Sequence, residues 1–315
     1  MNKNLNLDNK LIQKNFEDNF SRLLPIFYEM QSTFLSGIYK RYGDLEGGQI
    51  VIYFARDLHL RLMRKREEDL NFDLSLEKFW FNHQNTTQDK HKIIAVSKYT
   101  GLPKETTRRK ILHLTKDKHL KKSSRNKIFW EPASQYKDTY MTIIKEQITS
   151  LSKFLFEQSK SLGLNNQFSK IYKEIEKNYC FYWYHYLNAQ LEYMKYWQMK
   201  TKDLEILLIG LQSVIQSLNY SKKRADLNNN NEVKYPDISA TSVSEVTGIP
   251  RATCIRKLDW LCKSKLIKKD LNNKRYRLSF DKVTESNLNH PLTNVNATVQ
   301  IFTDFSLIIY KALNR

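Results

Sequence analysis

Two stretches of the chain carry arginine, lysine and threonine at matching intervals. The first holds Lys104, Thr106, Arg108, Arg109 and Lys110, and the second Arg251, Thr253, Arg256 and Lys257. A second basic group follows each: Lys121, Lys122, Arg125 and Lys127, then Lys268, Lys269, Lys274 and Arg275. These side chains suit a polyanion. A guanidinium forks onto the O6 and N7 acceptors of guanine, and a short hydroxyl reaches a phosphate or a thymine methyl. Ammonium groups neutralise phosphates whatever the base. Arg109 and Arg256 are therefore the candidate base readers, with Thr106 and Thr253 beside them. Lys104, Arg108, Lys110, Arg251 and Lys257 are candidate phosphate contacts. For any single lysine, a solvated basic face is an equal alternative.

Other chemistry is poorly represented. The seven histidines (His59, His83, His91, His113, His119, His185 and His290) form no His-Glu-x-x-His pair and no cluster with cysteine, so no metal site is expected. Cys180, Cys254 and Cys262 provide neither a Cys-x-x-Cys pair nor a disulfide framework. No phosphate-binding loop, dinucleotide fingerprint or nucleophile elbow is present, and 8 glycines are few for a nucleotide-binding sheet. The expectation is a protein without cofactor that is not an enzyme.

The elements that must position the basic residues are visible as a repeat. Val96–Lys122 aligns without a gap on Val243–Lys269, an offset of 147, with 13 of 27 positions identical. Nine identities are Val96, Ser97, Thr100, Gly101, Pro103, Thr106, Arg109, Lys110 and Leu114 with their partners, and the other four are lysine pairs. Upstream, Asp44-Leu45-Glu46 before an apolar stretch matches Asp203-Leu204-Glu205 at an offset of 159. Each aspartate suits a helix start, where its acid meets the positive end of the dipole. Within each copy the spacing predicts a short helix, a turn at Gly101 or Gly248, and a second helix. The inward positions of that helix are Thr107, Ile111 and Leu114, or Cys254, Leu258 and Leu261. Two short strands around a polar turn then predict a hairpin.

The segments Thr-Gly-Leu-Pro-Lys-Glu-Thr-Thr-Arg-Arg-Lys-Ile (100–111) and Thr-Gly-Ile-Pro-Arg-Ala-Thr-Cys-Ile-Arg-Lys-Leu (247–258) resemble the helix-turn-helix of MarR-like and related bacterial winged-helix transcriptional regulators. The resemblance implies a recognition helix in the major groove and a wing on backbone or minor groove. The expected fold is mainly α, with tandem winged helix-turn-helix modules and small hairpin wings on a helical scaffold, built by internal duplication. Its divisions are an N-terminal tail or helix (1–20), a first repeat (21–134, winged module about 90–132) and connecting helices (135–178). A second repeat (179–285, winged module about 237–280) and a C-terminal helix (286–315) follow. The first ~15 residues read as frayed or weakly helical, and Phe72–Lys92 and Ser221–Pro236 as connectors.

The formal charge of +19 and pI of about 9.6 favour polyanionic partners. An AT-rich genome, which enriches Lys and Asn, explains part of that excess equally well. Met1 to Lys14 lacks the apolar core of a secretory signal, and no apolar run reaches the ~18 residues of a membrane span. The expectation is a cytoplasmic, nucleoid-associated protein that binds double-stranded DNA as a pseudo-dimer and regulates transcription. A replication initiator with tandem winged modules, or an interaction scaffold with degenerate ones, are the alternatives. Arg108 against Ile255 and His113 against Trp260 predict two copies that read different half-sites. The aromatic run Tyr179–Trp197 is expected to be core or interface, the latter serving a homodimer or another protein partner, with a pocket for a small aromatic effector or base stacking on single-stranded nucleic acid as alternatives.

Overall fold

Asn19 and Asn178 each separate a ten-residue helix from a 23-residue one, and each long helix ends on a left-handed residue before an aspartate-capped third helix. The computed structural model describes residues 7–88, 91–123, 128–226, 237–279 and 295–314, in which there are thirteen α-helices and two small hairpins. The first half runs α1 (Asn9–Asp18), α2 (Phe20–Tyr42), α3 (Leu45–Glu68), α4 (Leu76–Gln84), α5 (Ile93–Thr100), α6 (Lys104–Lys116), β1 (Lys121–Lys122), β2 (Ile128–Phe129) and α7 (Lys137–Ser161). The second runs α8 (Phe168–Lys177), α9 (Tyr179–Thr201), α10 (Leu204–Asp226), α11 (Ala240–Thr247), α12 (Arg251–Lys263), β3 (Ile267–Lys269), β4 (Tyr276–Leu278) and α13 (Val295–Leu313).

The correspondence between halves is wider than the sequence indicates. Helix α8 lies 159 positions after α1, so it opens the second repeat and does not belong to a connector. Of the frayed or weakly helical segment expected here, the structure shows the helix, α1, anchored by Ile12 and Phe16, both buried. Contacts between the halves are exchanged. Helix α1 packs on α13 and α8 on α7; α3 packs on α9 and α10 on α2. Rings repeat the pattern. Phe34 meets Tyr186 edge-on at 5.5 Å, and Phe27 meets Tyr193 at 6.4 Å. Phe27 and Tyr186 are equivalent positions, as are Phe34 and Tyr193. This is the contact pattern of a local two-fold axis between α2 and α9. Gln31 and Gln190, again 159 apart, are both fully buried.

Helix α9 forms the centre of the scaffold. Tyr179, Tyr182, Trp183, Tyr186, Tyr193 and Trp197 are all buried within the chain, so they are not available as a homodimer or partner surface. Aromatics at helical spacing on more than one side suit a helix enclosed by neighbours. Gly48 lets α3 approach α2; a Cβ there would lie 2.0 Å from Ile38 Cγ2. The Phe72–Lys92 connector holds α4, which inserts Phe79, Trp80 and His83 into the core. In the second connector α10 continues to Asp226, and 227–236, including the Asn228–Asn231 run, lies outside the described residues. No helix among the described residues is long and apolar enough to cross a membrane.

Candidate nucleic-acid interface

The identical residues of the repeat build one turn twice. Ser97 Oγ donates to the Leu102 carbonyl at 2.6 Å, and Ser244 Oγ to that of Ile249 at 2.7 Å. Thr100 Oγ1 donates to the Val96 carbonyl at 2.8 Å, and Thr247 Oγ1 to that of Val243 at 2.7 Å. Gly101 and Gly248 end their helices at φ 77° and 78°, a left-handed region that favours glycine. Pro103 and Pro250 stand at the N-caps of α6 and α12. They arrest the first helix and start the second. Thr107, Ile111 and Leu114, and Cys254, Leu258 and Leu261, are buried as the spacing predicts. Both helices exit through a left-handed lysine, Lys118 at φ 61° and Lys265 at φ 59°.

Each helix pair is followed by an antiparallel hairpin. Lys121 pairs with Phe129 and Lys122 with Ile128; Ile267 pairs with Leu278, Lys268 with Arg277 and Lys269 with Tyr276. Lys274 sits in the turn before β4, at φ 56°. That turn is held by the Asp270 carboxylate, which accepts N–H bonds from Asn272 at 2.8 Å and Asn273 at 3.4 Å.

The candidate residues divide sharply. Arg109 and Arg256 are exposed and form no ion pair or hydrogen bond with another described residue. Lys104 and Lys122 are exposed, and Thr106 and Thr253 half-buried beside the arginines. Arg251 is exposed with its Nε donating to Thr241 Oγ1 at 3.1 Å. Lys268, Lys274 and Arg275 are exposed on the second hairpin. Arg108 is exposed but engaged, with its fork on Glu105 at 2.6–3.1 Å. Lys121 pairs with Glu131 at 2.6 Å. Lys269 pairs with Asp259 at 2.9 Å, and hydrogen bonds with Asp259 and Tyr276 push its pKa up. Arg125 and Lys127 lie outside the described residues.

Lys110 and Lys257, expected as phosphate contacts, do not face outward with the arginines. Both turn inward: Lys110 Nζ lies 2.5 Å from Asp44 and 3.0 Å from Glu46, and Lys257 contacts Asp203 and lies 2.8 Å from Glu205. Their side chains are 18% and 10% exposed. Burial works against the charge of Lys110, but the two carboxylates outweigh it and raise its pKa. These lysines tie each second helix to the scaffold. The repeated Asp-Leu-Glu is thus more than a capping signal. Asp44 accepts N–H bonds from Glu46 and Gly47, and Asp203 from Glu205 and Ile206, while the same carboxylates hold the lysine. Only the pairing of that motif with the invariant Arg-Lys dipeptide, read across distant segments, could have signalled this.

The outer faces differ between copies. Helix α12 presents Trp260, 43% exposed, whereas Ile255 is half-buried against the core and less available than expected. Helix α6 presents Leu112 and His113. Among the described residues, no group of three His, Cys, Asp or Glu side chains could hold a metal ion. What the arrangement offers is a basic helix face and a basic hairpin, displayed twice. No family model, no curated protein and no solved structure matches the chain.

Proposed function

We propose that the chain binds double-stranded DNA through two winged helix-turn-helix modules and acts as a transcriptional regulator. The observation that carries this reading is the repeated display of one unpaired arginine, Arg109 or Arg256, on the outer face of the second helix of each unit. In a helix docked in the major groove, such an arginine reaches a guanine edge. The exchanged packing of α2 and α9 supports two modules related as the halves of a dimer are, from one chain. The hairpin cations, Lys122 in the first copy and Lys268, Lys274 and Arg275 in the second, serve as backbone contacts.

The test is binding to random duplex across a salt series. Each phosphate neutralised contributes a slope of about −0.9 in log affinity against log salt, so affinity drops steeply between low and physiological salt. A flat affinity, or no binding at low salt, overturns the reading. Exposed Trp260 on α12 favours one second reading, a protein partner for the second unit. It prevails if Arg256→Ala leaves both duplex affinity and the selected sequence unchanged.

A further inference from the structure

The first helix pair is held to the scaffold by a filled junction. Tyr53 Oη lies 3.1 Å from His91 Nδ1, and His91 Nε2 lies 3.2 Å from Asp57 Oδ2. The Arg56 guanidinium covers the Tyr53 ring at 5.0 Å and the Tyr99 ring at 4.6 Å, and those rings are 5.1 Å apart. Tyr53, Arg56 and Asp57 belong to α3, and Tyr99 to α5. The result is a stack of two phenols and a guanidinium wedged between scaffold and module.

The repeat offsets carry these five positions to Gln212, Ile215 and Gln216 on α10 and to Ile238 and Val246 at α11. Every ring and every charge of the plug is lost there. All five replacements line a single open cleft of about 940 Å³ between α2, α7, α10 and α11. The equivalent place in the first half keeps only a smaller pocket of about 600 Å³ on α9 and α13, which none of the five plug residues lines. The volume of the open cleft falls within the range of small-molecule sites.

The lining defines what fits. One carboxylate oxygen of Asp237, a half-buried side chain, is enclosed in the cleft wall without a hydrogen-bond partner among the described residues, and a carboxylate so placed favours a cation or strong donor. Glu29 and Glu146 add two acids against Lys145 and Lys153, the latter 3.0 Å from Glu29, so with Asp237 the acids outnumber the lysines by one. Gln212 donates to Ser32 Oγ at 2.9 Å and to the Leu208 carbonyl at 3.0 Å, leaving its amide oxygen as an acceptor. Ile26, Ile215 and Val246 supply apolar walls. We propose that this cleft binds a planar aromatic cation, a ligand that restores the ring and positive charge missing from the second junction. None of the lining residues belongs to the candidate nucleic-acid interface, so the site stands or fails independently of DNA binding.

The experiment titrates the full chain, without DNA, into 9-aminoacridine, a planar cation at neutral pH, and follows fluorescence anisotropy. The anion 9-anthracenecarboxylate is the comparison. The expected result is saturable binding of one 9-aminoacridine per chain with weaker binding of the anion. Asp237→Asn weakens the cation by about ten-fold, the value of one charge-assisted contact. Rebuilding the plug with Gln212→Tyr, Ile215→Arg and Val246→Tyr abolishes binding while circular dichroism reports an unchanged helical fold. If that triple variant does not fold, Val246→Tyr alone serves and weakens binding. Absence of saturable binding, equal binding by the plugged variants, two sites per chain, or preference for the anion each overturns the proposal.

Discussion

A lysine near a recognition face and a lysine on it are chemically alike, and their partners separate them. Lys110 and Lys257 are spent on acids of the scaffold, whereas Arg109 and Arg256 have no such partner. Two predictions separate these roles. Lys110→Met should lower stability by about 1–3 kcal/mol, because it strands the Asp44 and Glu46 carboxylates in a partly buried place. It should leave the salt slope of duplex binding unchanged, whereas Lys122→Ala should reduce that slope by about one unit. Thermal melts and salt titrations of the two variants check this, and a reduced slope for Lys110→Met would return that lysine to the interface. Arg109→Ala and Arg256→Ala should each cost about 1–3 kcal/mol of binding and relax preference at different base pairs. Selection from random duplexes reads that out, and identical motifs from both variants would contradict two separate readers.

At the scale of elements, α4 illustrates how a connector becomes core. Phe79 stacks on His59 at 4.9 Å and on His83 at 5.8 Å, with Tyr140 and Tyr179 also against it. Both histidines are buried, and among the described residues His59 has no hydrogen-bond partner for either ring nitrogen. Burial holds the pKa of His59 down to about 3 and that of His83 to about 4, against an ordinary 6.5. The unfolded chain protonates both below 6.5 while the folded chain keeps them neutral. Their contribution is therefore complete above pH 6.5 and is lost as pH falls from 6.5 through 4 and then 3. Each histidine removes up to about 1.4 kcal/mol per pH unit in that window. Urea midpoints measured between pH 7 and 4.5 should fall, and less so in a His59→Phe, His83→Phe variant. An equal fall in both proteins would trace acid lability to other groups.

At the scale of the molecule, each half lends its first helix to the other: α1 to α13 and α8 to α7. Neither half alone can enclose Phe27, Phe34, Tyr186 or Tyr193, since those rings meet across the halves, Phe27 against Tyr193 and Phe302, and Phe34 against Tyr186. Two chains divided in the loop between α7 and α8, 1–164 and 165–315, should thus form a one-to-one complex on mixing. Separately they should lack cooperative melting. Sedimentation and calorimetry decide it, and a half that folds alone as a monomer would show that the exchanged packing is dispensable.

The sequence determined the two helix pairs and hairpins, because their signals are local. Gly101 and Gly248 need a left-handed backbone, Pro103 and Pro250 start a helix, and the buried positions recur at helical spacing. It likewise marked Asp44 and Asp203 as helix caps. What it did not determine depends on partners distant along the chain. The kinship of α1 with α8 rests on matched lengths and on a shared place in the packing, with little shared residue identity. The inward turn of Lys110 and Lys257 follows from acids 66 and 54 positions away. The aromatic face of α9 reads as surface or core according to which helices enclose it. The plugged and open junctions differ at five residues that the offsets align, but only the tertiary structure brings those residues from three segments together. Spacing along a helix fixes which way a residue faces, and only the assembled scaffold decides what it faces.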